Sequence, residues 1–198
     1  MYYYWSIWFI WIVVTFIMEK NQLRTILAVC LFIHIIVSHH IISIMQLEMN
    51  GAFILTFLYA CVAFAKRVQK NTLITLLQLF SMVFAYAFFM IFALYDPIWF
   101  TLIKSEWIVF GLLMVMAMAY GYNLTARLTL FVLAMCLGEG LYALSIHMLT
   151  SVVVIGDMPW LAQAMQGVIF LVGVSQLELL LKNYRSSRKP VKGAVKSS

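Results

Sequence analysis

The sequence predicts an all-α, polytopic integral membrane protein with seven transmembrane helices, its N-terminus outside and its C-terminus inside. Three observations carry this. Hydrophobic residues make up 65% of the 198 positions and charged residues only 10%, whereas soluble domains carry about 45–50% apolar and about 25% charged residues. Cutting the chain at its charges leaves seven apolar runs near the roughly 20 residues that cross a hydrocarbon layer. The basic residues then fall almost entirely into alternate gaps. Together these exclude a soluble domain, a disordered chain, a nucleic-acid reader with an open basic face and a disulfide scaffold.

The runs are Tyr2 to Met18, Thr25 to Met45, Met49 to Ala65, Leu73 to Tyr95, Trp107 to Asn123, Leu128 to Leu149 and Trp160 to Leu181. The third and fifth stand near the lower limit of about 17 residues for a crossing. The run Ile98 to Ile103 is too short to cross and reads as an interfacial piece, because Pro97 has no amide hydrogen to continue the preceding helix. The first run has neither a basic stretch before it nor a small-residue cleavage pattern after it, so it reads as a retained anchor and not as a signal peptide.

Lys and Arg flanking membrane segments stay predominantly on the cytoplasmic side. The first gap holds Lys20 and Arg24, the third Lys66, Arg67 and Lys70, the fifth Arg127, and the tail Lys182, Arg185, Arg188, Lys189, Lys192 and Lys196. That places 12 of the 13 basic residues inside, with Lys104 the exception. Merging or splitting any run would scramble the alternation. Trp and Tyr prefer the headgroup boundary, and Tyr2, Tyr3, Tyr4, Trp5, Tyr95, Trp99, Trp107 and Trp160 all fall at the outer one. The stripe Trp5, Trp8 and Trp11 reads as a lipid-facing anchor. Lys182 to Ser198, basic and rich in Ser and Lys, is expected to be a disordered cytoplasmic tail in contact with lipid headgroups. Cys30, Cys61 and Cys136 lie inside apolar runs without CxxC spacing and read as small buried hydrophobes.

Chemistry has to come from the few polar groups at membrane depth, where an ionised side chain costs at least about 2.5–3.5 kcal/mol. Glu178 stands four residues before Lys182, the order that favours an ion pair along one helix. Glu139 stands mid-run between Gly138 and Gly140, which let another helix cover the carboxyl with protein in place of lipid. Tyr142, Ala143 and His147 follow on the same helix face, and His34 of the second run is expected within about 3 Å of the same depth. Glu139, His34, Tyr142 and His147 are therefore a candidate proton or cation site, and the alternative is an uncharged Glu139 serving as interhelical glue.

No metal and no cofactor are expected. His34, His39 and His40 point in widely separated directions on one helix, and a metal set of His39, His40, His147 and Asp157 would need the second and sixth helices side by side. Gly173-Val174-Ser175-Gln176 only loosely echoes a nucleophile elbow, Asp96 and Asp157 lie in loops, and no Lys or Arg falls within a run to serve phosphate or Schiff-base chemistry. No catalytic residue is assigned. Ala134 with Gly138 and Ala117 with Gly121 supply small-xxx-small pairs, while Gln78, Gln163, Gln166 and Gln176 read as interhelical hydrogen-bonding residues or the lining of a solute path.

At Tyr2-Tyr3-Tyr4-Trp5, Trp8, Trp11-Ile12, Thr15-Phe16 and Met18 to Lys20, and again at Tyr95-Asp96-Pro97-Ile98-Trp99, the sequence resembles the YphA-type small membrane proteins of spore-forming bacteria over nearly its whole length. The resemblance implies a multi-pass protein of a Gram-positive cytoplasmic membrane, serving envelope or spore assembly, and carries over no enzymatic site. The expected function is non-enzymatic assembly or interaction at the membrane. Its expected partners are the lipid bilayer and a membrane protein or second copy of the chain, with no nucleic acid. The alternative is a small proton- or cation-coupled transporter using Glu139 and His34.

Overall fold

The computed structural model describes residues 2–44, 47–67, 72–147 and 153–187. Seven α-helices follow in order: α1 (Tyr2–Phe16), α2 (Gln22–Val37), α3 (Gly51–Arg67), α4 (Thr72–Tyr95), α5 (Ser105–Tyr120), α6 (Leu124–His147) and α7 (Met158–Ser187). A 3-10 turn at Pro97–Phe100 leads from α4 towards α5, as the proline there predicts. By length and composition α4, α6 and α7 are apolar spans long enough to cross a bilayer, and α1, α2, α3 and α5 are shorter apolar helices.

Large apolar side chains cover much of the outer surface, and a few polar ones lie within an otherwise apolar core. On α4, Phe84 and Phe88 are each 62% exposed while Met82, Val83 and Tyr86 are buried. Asn50, Ser38, Thr129 and Glu139 are buried although polar. In water this would leave large apolar rings unburied; in lipid it matches each surface to its surroundings. The core lies on α6, which packs against α3, α4, α5 and α7. The two small-residue pairs are at buried positions, with Ala134 and Ala117 both fully enclosed.

Asparagines start three of the helices. Asn21 and Asn123 accept from the amides of Arg24 (2.9 Å) and Ala126 (2.8 Å), satisfying donors that the first helical turn leaves open. Asn50 accepts from Ala52 N–H and donates to the Ser38 carbonyl, both at 2.9 Å, tying the start of α3 to the end of α2.

The second apolar run departs from its predicted form. It is not one helix from Thr25 to Met45: α2 ends at Val37, and Ile41–Ile44 is a strand, β1, paired antiparallel with β2 at Leu47–Asn50. The run Ile41-Ile42 with Ile44 is β-branched and favours the pleated conformation. A third strand, β3 (Val154–Ile155), pairs parallel with β2 through Glu48 with Val154 and Met49 with Ile155. The small sheet therefore holds the α2–α3 and α6–α7 connections at one end of the bundle. At the other end, α7 runs on through Lys182 to Ser187, so the first part of the expected tail is helical, continuing the turn pattern of a long apolar helix. Arg188, Lys189, Lys192 and Lys196 lie outside the described residues.

Candidate functional site

Glu139 is 8% exposed and lies about 12 Å along α6 from its His147 end, counting eight residues at 1.5 Å each. Its Oε2 accepts a 2.6 Å hydrogen bond from the hydroxyl of Tyr86 on α4, itself 4% exposed. The Gly156 amide is also turned toward this carboxyl. Gly138 makes the approach of α4 feasible, since any Cβ there would collide with the Tyr86 ring; Gly140, on the other side of Glu139, faces open space. One of the two flanking glycines thus has the packing role that the sequence suggests.

The carboxyl stands on the wall of a cavity of about 420 Å³. Glu106, in the first turn of α5, and Asp157, immediately before α7, bring two further carboxylates to the same cavity. Asp157 Oδ1 caps α7 by accepting from Trp160 N–H at 2.9 Å, which fixes this side chain at the rim. The preceding Gly156 has φ +69°, and a Cβ there would meet Phe53, so the turn that aims Asp157 requires glycine. Tyr142, Trp160 and Gln163 complete the polar and aromatic wall, with Met90, Ile146, Val153 and Val154 as its apolar part. No Lys, Arg or His is among the described residues of the lining.

His34 belongs elsewhere. Its Nδ1 is 2.6 Å from the Tyr3 hydroxyl, and its Nε2 is 2.8 Å from Thr56 Oγ1, which donates to the Ala52 carbonyl at 2.8 Å. Because the threonine proton is directed to Ala52, Thr56 Oγ1 accepts from Nε2–H, and Nδ1 then accepts from Tyr3. The ring is a neutral, fully satisfied tie between α1, α2 and α3. It borders a separate, largely apolar cavity of about 300 Å³ between α3, α6 and α7. The expected pairing of His34 with Glu139 is therefore not formed: matching depth does not make two helices neighbours, and α4 occupies the position next to Glu139.

Of the other predicted residues, Tyr142 joins Glu139 in its cavity, and His147 is half-buried at the end of α6 with its Nδ1 making no hydrogen bond. His39 contacts the Tyr4 hydroxyl at 3.0 Å and His40 is exposed. Among the described residues no three His, Cys, Asp or Glu side chains converge to hold a metal ion, so the alternative set of His39, His40, His147 and Asp157 is not assembled. Glu178 pairs with Arg127 of α6 at 2.8 Å, not with Lys182 along its own helix. Arg127 also donates from Nε to the Gly121 carbonyl at 3.0 Å and lies 3.4 Å from Ser175 Oγ.

Tyr86, Glu106, Trp160 and Gln163 are the residues that sequence reasoning missed as members of the Glu139 site. The signal for Tyr86 was present. It is a lone phenol in the uncharged middle of its helix, about 14 Å from the Tyr95 end of α4 and so at nearly the depth of Glu139.

No solved structure matches the chain. The profile of the YphA-like integral membrane protein family matches residues 1–196. The chain is 37% identical, over all of its own length and 98% of the relative's, to the uncharacterized protein YphA of Bacillus subtilis (strain 168). With lipid-facing phenylalanines outside, a buried carboxyl inside and a family match over nearly every residue, the chain belongs to the YphA-like integral membrane proteins.

Proposed function

We propose that the protein is a non-enzymatic, seven-span protein of the cytoplasmic membrane, N-terminus outside and C-terminus inside, that takes a cation into the Glu139 cavity from the outer face, as a small cation-coupled transporter. The positive-inside distribution supports the orientation. The sheet supports the span count: β2 and β3 hold the starts of α3 and α7 at one end, so the four helices α3 to α6 return the chain to the side it left, as four crossings do. That end carries the cavity, opposite Arg127 and Lys182.

The observation that carries the reading is a nine-tenths-buried carboxyl on the wall of a cavity shared with Glu106 and Asp157 and free of basic side chains among the described residues. A carboxylate in a low-dielectric surround attracts a cation far more strongly than one in water. His34, satisfied within its own cluster, has no part in it. The test is complementation of a deletion strain by the natural chain and by Glu139→Gln, with membrane levels compared. Failure of the variant despite normal insertion supports the reading. Full complementation overturns it and returns the search to assembly or interaction with a membrane-protein partner, which needs only intact helix surfaces.

A further inference from the structure

Apart from the Glu139 cavity, we infer that the chamber beside His34 is a binding site for an uncharged aliphatic chain, taken sideways from a lipid of the surrounding membrane. Five helices close a ring, each packed on the next: α1 on α2, α2 on α3, α3 on α6, α6 on α7 and α7 on α1. All five contribute to the wall of the cavity of about 300 Å³ inside it. The space comes from small side chains where larger ones would fill it, Ala60 and Ala63 on α3, Thr129 on α6 and Ala164 on α7. That volume is about twice the roughly 150 Å³ that admits one benzene, and so takes about twelve carbon atoms.

The wall has little to offer a polar occupant. No Asp, Glu, Lys or Arg is among the described residues of the lining. Its hydroxyl and ring N–H groups are all committed within the protein: Tyr3 donates to His34, His34 to Thr56, Thr56 to the Ala52 carbonyl, Thr129 to the Thr125 carbonyl and Tyr59 to Cys30 Sγ. Water needs about two to four polar partners to stay in a cavity, and an empty space forfeits the dispersion contacts of its lining. A hydrocarbon chain restores those contacts and needs no polar partner. Tyr59 marks its route, for it lines the chamber and is yet 47% exposed. It bridges α3 to α2 by a 3.7 Å hydrogen bond to sulfur, a weak acceptor, and α2 has no buried residue. On the seven spans proposed above, this lightly held seam faces the hydrocarbon layer, where lipid chains are at hand.

The experiment is photolabelling of the full chain in phosphatidylcholine vesicles doped with a lipid whose acyl chain carries a diazirine, the modified residues being read by mass spectrometry. Val62, exposed on α3, reports contact with bulk lipid, whereas Ala60 and Thr129, both buried, report a chain inside the ring. All three should be labelled, and a diazirine on the lipid headgroup should mark neither buried residue. Ala60→Leu and Ala164→Leu fill the chamber from different helices. Each should lower the labelling of Thr129 about tenfold or more, the scale of overpacking a filled site, and leave Val62 unchanged. Where a leucine lowers the melting temperature, the contrast between chain and headgroup probes in the natural chain decides alone. Label on Val62 without label on Ala60 or Thr129 overturns the inference and leaves the spans and the Glu139 site standing. Absence of label on Val62 as well takes α3 out of the hydrocarbon and overturns the span arrangement with it. Headgroup-borne labelling of Ala60 or Thr129, or chain-borne labelling of Thr129 that neither leucine reduces in a stably folded variant, also overturns the inference. Labelling by a free diazirine-bearing decan-1-ol but not by the lipid assigns the chamber to a small apolar solute and overturns the lipid chain.

Discussion

The hydrogen bond from Tyr86 to Glu139 reports the charge on the carboxyl, and a double-mutant cycle reads it. In Tyr86→Phe the ring stays in its place against Gly138 and only the hydroxyl is lost, so packing is little disturbed. In Glu139→Leu the carboxyl goes and a side chain of similar length stays, so neither single variant keeps any part of the bond. The bond is short, at 2.6 Å, and both partners are nine-tenths or more enclosed. If it ends on an ionised carboxylate, as a cation site requires, its coupling should be about 1.5–3 kcal/mol, the range for hydrogen bonds to charged groups. An ordinary neutral hydrogen bond between membrane helices averages about 0.6 kcal/mol. Reversible unfolding of the two single variants, the double variant and the natural chain in mixed SDS and detergent micelles gives the coupling directly. We expect a value above about 1.5 kcal/mol in empty protein at neutral pH. A value at or below about 0.6 kcal/mol would refute the reasoning, identify Glu139 as a neutral tie between α4 and α6, and remove the charge on which cation capture depends.

Other substitutions probe the surrounding structure by the same assay. Gly138→Ala should destabilise by about 1–3 kcal/mol, because its methyl group meets the Tyr86 ring, whereas Gly140→Ala should be neutral or slightly stabilising. Equal effects at the two glycines would contradict the packing described. At the end of the bundle away from the sheet, Glu178→Ala should cost less than about 1 kcal/mol, since Glu178 is 54% exposed, and Arg127→Ala should cost more, since Arg127 is 13% exposed and also holds the Gly121 carbonyl. Lys182→Ala should change nothing; a loss there matching Glu178→Ala would restore the along-helix pair. Thr56→Val removes the acceptor for His34 Nε2–H and should cost about 1–3 kcal/mol, with Thr56→Ser largely retaining stability. A silent Thr56→Val would contradict the tautomer assigned to His34.

The helices were legible in the sequence because a bilayer makes run length and charge spacing strong signals: each of the seven helices overlaps one apolar run, and the Asp96-Pro97 break is where α4 stops. Legibility failed where composition is uniform and conformation differs. Ile41, Ile42 and Ile44 are as apolar as the helix before them, so cutting at charges could not separate strand from helix; their β-branching was the cue. Likewise Lys182 to Ser187 looked like tail because charge was read as an end to structure, while a helix that has left the hydrocarbon carries charge without penalty. At the site, Glu139 announced itself through its cost in lipid. Its partners did not, because sequence gives depth along a helix and not helix order: His34 and Tyr86 both pass the depth criterion, and only the packing of α4 on α6 chooses between them. Glu106 and Asp157 looked like loop acids, and their role depends on where two helix starts meet.

The unequal helix lengths have a mechanical consequence. At 1.5 Å per residue α1, α2 and α3, with 15 to 17 residues, are about 22–26 Å long, and they are neighbours in the bundle; α4 and α6, with 24 residues, are about 36 Å. In the seven-span arrangement proposed above, α1 to α3, and α5 with its 16 residues, fall short of a hydrocarbon layer of roughly 30 Å, while α4 and α6 exceed it. Lipid then has to thin beside the first three helices, or the whole bundle has to tilt, each at a fraction of a kcal/mol per ångström of mismatch. Thicker membranes load the short helices and relax the long ones, so acyl-chain length acts as a torque on the protein, and the mouth of the acidic cavity turns with it.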